Sequence, residues 1–268
     1  DTSTVSMYFW STPSMLATPP GLYVLDSHRL ADKLSVIYET QRGRPSPYRA
    51  EYPYMLSVFT CWQDFDVVVF HGSWFGSSSD EQLLAGTVQA PTTSHFWTGV
   101  HLEHDQTMTS AIAMAGRIFL SGSVESAPDP AVYTVGKKGI FSFDTFNGIG
   151  GKDMSFNTFS RGTRIRLEPE KDCGVLLDGK EPQPMEPVKE AVATGKNALW
   201  DWQNGRLIID SPTVKVYTGK TVPSYSFKDG ITISGFNTPF ISFALISADG
   251  KPLLGENACK KAYVSAVL

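Results

Sequence analysis

The sequence predicts a chain of two unlike parts, an α/β segment to about Val124 (residues 1–124) and an antiparallel β domain over 125–268. Three observations carry that expectation. Apolar runs alternate with helical stripes in the first part, short β-type runs fill the second, and the texture changes after Gly122.

Thr4–Phe9 reads as a short strand that ends in the loop Trp10-Ser11-Thr12-Pro13. Leu22 to Lys33 has helical character, with Leu25, Leu30 and Ala31 as its apolar members. Leu34-Ser35-Val36-Ile37-Tyr38 is a compact run of the sort found in buried parallel strands, and it stops at Glu39. A polar loop, Thr40 to Pro47, follows. From Tyr48 to Asp64 the pattern is helical, with Met55, Leu56, Phe59 and Trp62 on one stripe. Val67-Val68-Val69-Phe70 is a second continuous strand, and a Gly-, Ser-, Trp- and His-containing loop extends to Asp105. Met108 to Leu120 is a second amphipathic helix carrying Met108, Ile112, Ala115 and Phe119. Strand and helix in alternation imply parallel pairing with right-handed crossovers.

Beyond Gly122 the β-type runs are Val132–Val135, Ile140–Phe143, Arg164–Leu167, Gly174–Leu177, Arg206–Ile209, Val214–Tyr217, Ile231–Ser234 and Ile241–Ile246. Asp178-Gly179, Asn204-Gly205, Asp229-Gly230 and Asp249-Gly250 lie between them and supply the positive φ of tight turns. Such spacing predicts a sandwich of two packed antiparallel sheets.

Composition narrows the function classes. A net charge of −4, without a Lys/Arg cluster interleaved with aromatics, argues against a nucleic-acid partner. No apolar run approaches the roughly 20 residues of a membrane helix. Asp1-Thr2-Ser3-Thr4 carries no signal-peptide pattern, which fits a cytoplasmic protein, a processed secreted or periplasmic one, or a fragment. Cys61, Cys173 and Cys259 lack the spacing of a disulfide framework or a zinc knuckle. There is no P-loop and no dinucleotide fingerprint, so no cofactor is expected. Gly72-Ser73-Trp74-Phe75-Gly76 places its serine one position too early for a nucleophile elbow.

Glu39 follows directly on an apolar strand, the junction that forms the catalytic mouth of a (β/α)8 barrel. A solvated carboxylate at a strand end is the plainer alternative. The stretch Tyr38-Glu39-Thr40-Gln41-Arg42-Gly43-Arg44-Pro45-Ser46-Pro47-Tyr48-Arg49-Ala50-Glu51-Tyr52-Pro53, followed by Trp62-Gln63-Asp64-Phe65-Asp66, resembles the last third of certain bacterial clan-A-like glycoside hydrolases. Tyr8-Phe9-Trp10-Ser11-Thr12-Pro13 similarly resembles their segment after strand six, although Met7 stands where that pattern has a histidine. Leu199-Trp200-Asp201, Ile209 to Thr213 and Ala248 to Leu253 look like parts of the β-sandwich that such enzymes often carry.

The resemblance implies α/β plus all-β architecture: the closing part, about strands 6–8, of a (β/α)8 barrel followed by an antiparallel β-sandwich. It also implies that Glu39 is the nucleophile of a retaining glycosidase acting on a carbohydrate substrate. The acid/base carboxyl would then come from a second polypeptide or an N-terminal segment that completes the barrel. Retention requires two carboxyl groups about 5–5.5 Å apart. Glu51 reads as a helix-N-terminal carboxylate and Glu103 as a loop charge.

Trp74 is the first candidate for substrate contact by resemblance, with a packed loop anchor as its alternative; Trp10 and Tyr8 are further candidates to hold a sugar ring. His71 either orients a carboxylate, hydrogen-bonds a sugar hydroxyl, or is a plain loop histidine. Arg42 and Arg44 either lower the pKa of Glu39, hold an acidic substrate, or are solvated. His95, His101 and His104, near Glu103 and Asp105, match no metal-site spacing, so no metal is expected. Cys61, mid-helix among apolar residues, reads as a buried inert thiol. A non-catalytic carbohydrate-binding or structural module is the competing function.

Overall fold

A computed structural model describes residues 2–9, 13–17, 22, 25, 27–42, 46–71, 105–140, 158–182 and 191–267. Their architecture is mixed α/β with mostly β content, including antiparallel sheets.

Strands β1 (Thr2–Phe9), β2 (Leu34–Arg42) and β3 (Val67–Phe70) form an all-parallel sheet in the order β1-β2-β3. One face packs on helix α1 (Glu51–Trp62), through Val5, Phe9, Ile37, Val68 and Phe70. Every residue of α1 except Cys61 is buried, because the sheet, helix α2 (Gln106–Ser121) and the second half of the chain surround it.

Helix α2 starts where its sequence signals: Asp105 accepts the Met108 amide at 3.1 Å, and Gly122 closes the other end at φ 67°. Arg49 grips the same aspartate through two guanidinium nitrogens at 2.6 and 3.1 Å, tying α2 to the turn before α1. The buried stripe of α2 is Met108, Ala111, Met114, Ala115 and Ile118. Ile112 and Phe119 instead line a small apolar cavity of about 170 Å³ shared with Pro53, Leu56, Val68 and Phe70.

Residues 27–33, expected within a helix, are turns in which Leu30 bridges Ile165. The reason is Arg29, whose guanidinium donates to the carbonyls of Leu30, Lys33, Gln63 and Asp64. Those bonds close a loop that a helix would open.

After residue 124 come β4 (Ala131–Gly136), helix α3 (Lys137–Ile140), β5 (Thr163–Glu168) and β6 (Val175–Leu177). β4 pairs β5 in parallel and β6 antiparallel. Ile140, expected to open a strand to Phe143, closes α3 instead; 141–143 lie outside the described residues. Then follow β7 (Val192–Thr194), β8 (Ala198–Asp201), β9 (Arg206–Asp210), β10 (Val214–Lys220), β11 (Ser224–Ser226), β12 (Thr232–Ser234), β13 (Phe240–Ser247) and β14 (Ala262–Val267). Six of them form one antiparallel sheet, β14-β13-β10-β9-β8-β7, and β11 pairs β12 as a hairpin.

The six-stranded sheet is apolar on both faces. Tyr217, Ile208 and Ile241 meet Phe227 and Ile233 around the β11–β12 hairpin. Trp200, Leu207, Ile209, Val216 and Ala244 join the cluster that holds α1 and α2. The largest core therefore draws on both sides of residue 124. Gly219 of β10 lies hard against the turn before β9: a Cβ there would lie 2.2 Å from the Gly205 carbonyl oxygen, and its φ of 135° disfavours any side chain.

Candidate functional site

The site is set by a bulge in the central parallel strand. Val5 pairs Ile37 and Ser6 pairs Glu39 on one side; Ile37 pairs Val68 and Thr40 pairs Phe70 on the other. β2 thus carries one residue more than either neighbour between these pairs. The pleat would otherwise send Glu39 to the α1 side with Ser35 and Ile37, because strand side chains alternate. The bulge keeps Tyr38 and Glu39 on the same face, a recognised way to re-aim a side chain. Beyond it, Thr40 and Arg42 turn to α1, while Glu39 and Gln41 share the opposite face.

The contacts fix this assignment. The Thr40 hydroxyl donates to the Met7 carbonyl at 2.7 Å and meets the Tyr52 hydroxyl of α1. Arg42 ion-pairs with Glu51 of α1. On the other face, His71, just past β3, sets its Nδ1 against a Glu39 carboxylate oxygen. Tyr8, near the end of β1, donates its hydroxyl to Glu39 and meets the His71 ring edge-on at 5.7 Å. Burial, followed by the hydrogen bond and charge of Glu39, pushes the Tyr8 phenol well above its usual range, so it stays a donor.

Glu39, in the C-terminal half of β2, therefore meets Tyr8 near the end of β1 and His71 just past β3. Glu39 and His71 keep 31% and 39% of their side-chain surface exposed, enough to be reached from solvent. The arrangement presents an oriented carboxylate with two hydrogen-bonding neighbours.

Gln41 is the residue that the sequence reading passed over. Its side chain follows Glu39 by two positions on the same face and pairs in register with Tyr8. It is 1% exposed, and among the described residues neither Nε2 nor Oε1 has a hydrogen-bond partner. The available signal was the period-two spacing Glu39, Gln41, hidden because the polar residues after Glu39 looked like a loop.

Arg42 is corrected. It does not lie beside Glu39 as a substrate or pKa-setting group but is fully buried on the opposite face. The Glu51 carboxylate also accepts from the Ser14 hydroxyl at 2.7 Å and the Met15 amide, and Arg42 donates to the Pro13 carbonyl. Glu51 is thus a buried structural anion as well as a first-turn carboxylate. Trp10, Arg44, Ser73, Trp74, His95, His101, Glu103 and His104 lie outside the described residues.

The turn from Gln63 to Asp66, after α1, is a staple at the other end of the sheet. The Gln63 amide donates to Thr158 carbonyl at 2.8 Å and accepts from Thr163 N–H at 2.7 Å. Asp66 accepts the Ser35 amide at 2.8 Å, aligning the starts of β2 and β3. Cys61, expected as a buried thiol, is only half-buried; desolvation nonetheless pushes it up to about 12. Among the described residues, no group of three or more His, Cys, Asp or Glu is placed to hold a metal, and no helix is long and apolar enough to cross a membrane.

Searches of family models, curated proteins and solved structures found no match to this chain.

Proposed function

We propose that the chain contributes the catalytic carboxylate of a retaining glycoside hydrolase, with Glu39 as nucleophile. The observation that carries this reading is the convergence of Tyr8, Glu39 and His71 in the C-terminal halves of three parallel strands and just beyond them, toward the end where barrel enzymes gather their chemistry. A carboxylate that accepts two hydrogen bonds while staying accessible is suited to attack an anomeric carbon. Tyr8 and His71 hold it in one orientation, so little reorganisation precedes attack.

In this reading β1, β2 and β3 are strands six to eight of a (β/α)8 barrel, and the six-stranded sheet belongs to an appended sandwich. Support comes from the face of β2 and β3 that turns away from α1. Leu34, Tyr38, Val67 and Val69 on it are 60%, 48%, 44% and 45% exposed. Parallel sheets are ordinarily covered on both faces, and the inner face of a closed barrel is filled by such side chains. The remaining strands, with the acid/base carboxyl, come from a second polypeptide or another segment of the protein. Trp74 and Trp10 remain proposed sugar platforms.

The competing reading is a non-catalytic carbohydrate-binding module. It is favoured by the partners of Glu39 among the described residues, a phenol and an imidazole rather than a second carboxyl group. The test is Glu39→Gln in the assembled protein. It abolishes hydrolysis of an aryl glycoside and leaves sugar binding largely intact if Glu39 attacks. Undiminished turnover removes the assignment.

A further inference from the structure

We propose that Gln41 is a ligand-binding residue of the Glu39 site, recognising a pair of neighbouring hydroxyl groups on a neutral polyol such as a sugar ring. This rests on the reading of that site as a carbohydrate site. The observation behind it is independent of Glu39. A buried carboxamide with neither donor nor acceptor satisfied is uncommon in a folded protein, and each such group calls for a partner. Gln41 leaves both ends of its amide unpaired at once, so rotating the amide by half a turn repairs nothing.

Position supplies the second part of the argument. The bulge that turns Glu39 onto the open face turns Gln41 with it, and one strand repeat separates the two, roughly 6–7 Å. Tyr8, the register partner of Gln41, hydrogen-bonds Glu39 directly. A molecule held against the exposed Glu39 and His71 would therefore lie within about the width of one sugar ring of the buried amide.

The chemistry of the amide selects the ligand. It carries a donor NH2 and an acceptor oxygen on one plane and no charge. An anion would satisfy only the NH2 and would also face the Glu39 carboxylate. A cation would satisfy only the oxygen. A hydroxyl both donates and accepts, and two adjacent hydroxyls match both ends of the amide together. The structural alternative is a trapped water, which satisfies the amide without any ligand.

The test uses the full chain with D-glucose, D-galactose, D-mannose, D-xylose and glycerol as probes, and follows the side-chain NH2 resonances of Gln41 by nitrogen-15 NMR. Resonances absent from Gln41→Glu assign the signal. At least one sugar is expected to shift it saturably, with a preference among the five. Gln41→Leu is expected to weaken that sugar at least roughly tenfold, the effect of losing both hydrogen bonds of the amide. Its melting temperature should be unchanged or higher, because an apolar group of similar shape replaces an unsatisfied one. The wild-type resonance reports even if the leucine variant fails to fold. An unmoved Gln41 signal, equal shifts with all five probes, or undiminished sugar affinity in Gln41→Leu overturns the proposal. Sugar bound at Gln41 together with full turnover in Glu39→Gln would instead remove the nucleophile assignment and leave this inference standing.

Discussion

Arg42, at the end of β2, reaches Glu51 in the first turn of α1, and both side chains are sealed from solvent. The pair fixes where the strand end lies relative to the helix, and the Ser14 and Met15 donors tie the segment after β1 to the same carboxylate. Burial alone pushes the Glu51 carboxyl up and the Arg42 guanidinium down, so both depend on mutual contact to stay charged. Glu51→Ala should cost about 3–5 kcal/mol, because it strands a buried cation. Arg42→Met combined with Glu51→Leu should recover most of the loss. Urea denaturation of the two variants beside the unaltered protein measures this.

Tyr8→Phe removes one hydrogen bond to Glu39 and keeps the ring against His71. A hydrogen bond to a charged group is worth about 1.5–3 kcal/mol. With it goes part of the hold on the attacking orientation, so turnover in the assembled protein should fall by up to roughly 10- to 150-fold. Steady-state kinetics should place the loss in kcat rather than KM.

Cys61 is half-buried, and desolvation of its thiolate keeps the thiol protonated up to about 12, so it should resist alkylation in the native state at pH 8. Iodoacetamide should modify it only on unfolding, as peptide mass mapping would reveal. The pH dependence has a definite sign. An unfolded thiol ionises at about 8.5, so the unfolded chain loses this proton first and stability falls as pH rises above that value.

Gln63→Leu should destabilise the protein by about 1–3 kcal/mol, since it leaves the Thr163 N–H and Thr158 carbonyl without their shared partner. Thermal unfolding of the variant provides the check.

The strands flanking Glu39 were legible because Val67–Phe70 and Leu34–Tyr38 are apolar runs with little to mimic them. The extension of β2 to Arg42 was not, because Thr40, Gln41 and Arg42 form a strand only through tertiary contacts with Met7, Tyr8 and Glu51. The bulge was equally hidden: the extra residue in β2 appears only when its register with both neighbours is known. Asp-Gly and Asn-Gly dipeptides marked turns correctly, whereas β14 was missed. Its Tyr263 and Val264 are exposed, and no alternating buried pattern announces it. Among the described residues the antiparallel half holds one six-stranded sheet and the β11–β12 pair, while β4 and β5 pair in parallel and Leu30 adds to β5 from the other half, a pairing that no run of residues announces.

The most direct test of Glu39 as nucleophile is covalent trapping with 2,4-dinitrophenyl 2-deoxy-2-fluoro glycosides. Dinitrophenolate departs without protonation, so labelling requires the nucleophile and a bound sugar but not the acid. The assembled protein should gain the mass of one fluoroglycosyl group, on the peptide containing Glu39 and absent from Glu39→Gln. A glycosyl adduct on any other carboxylate, or turnover with inverted anomeric configuration, would contradict the account.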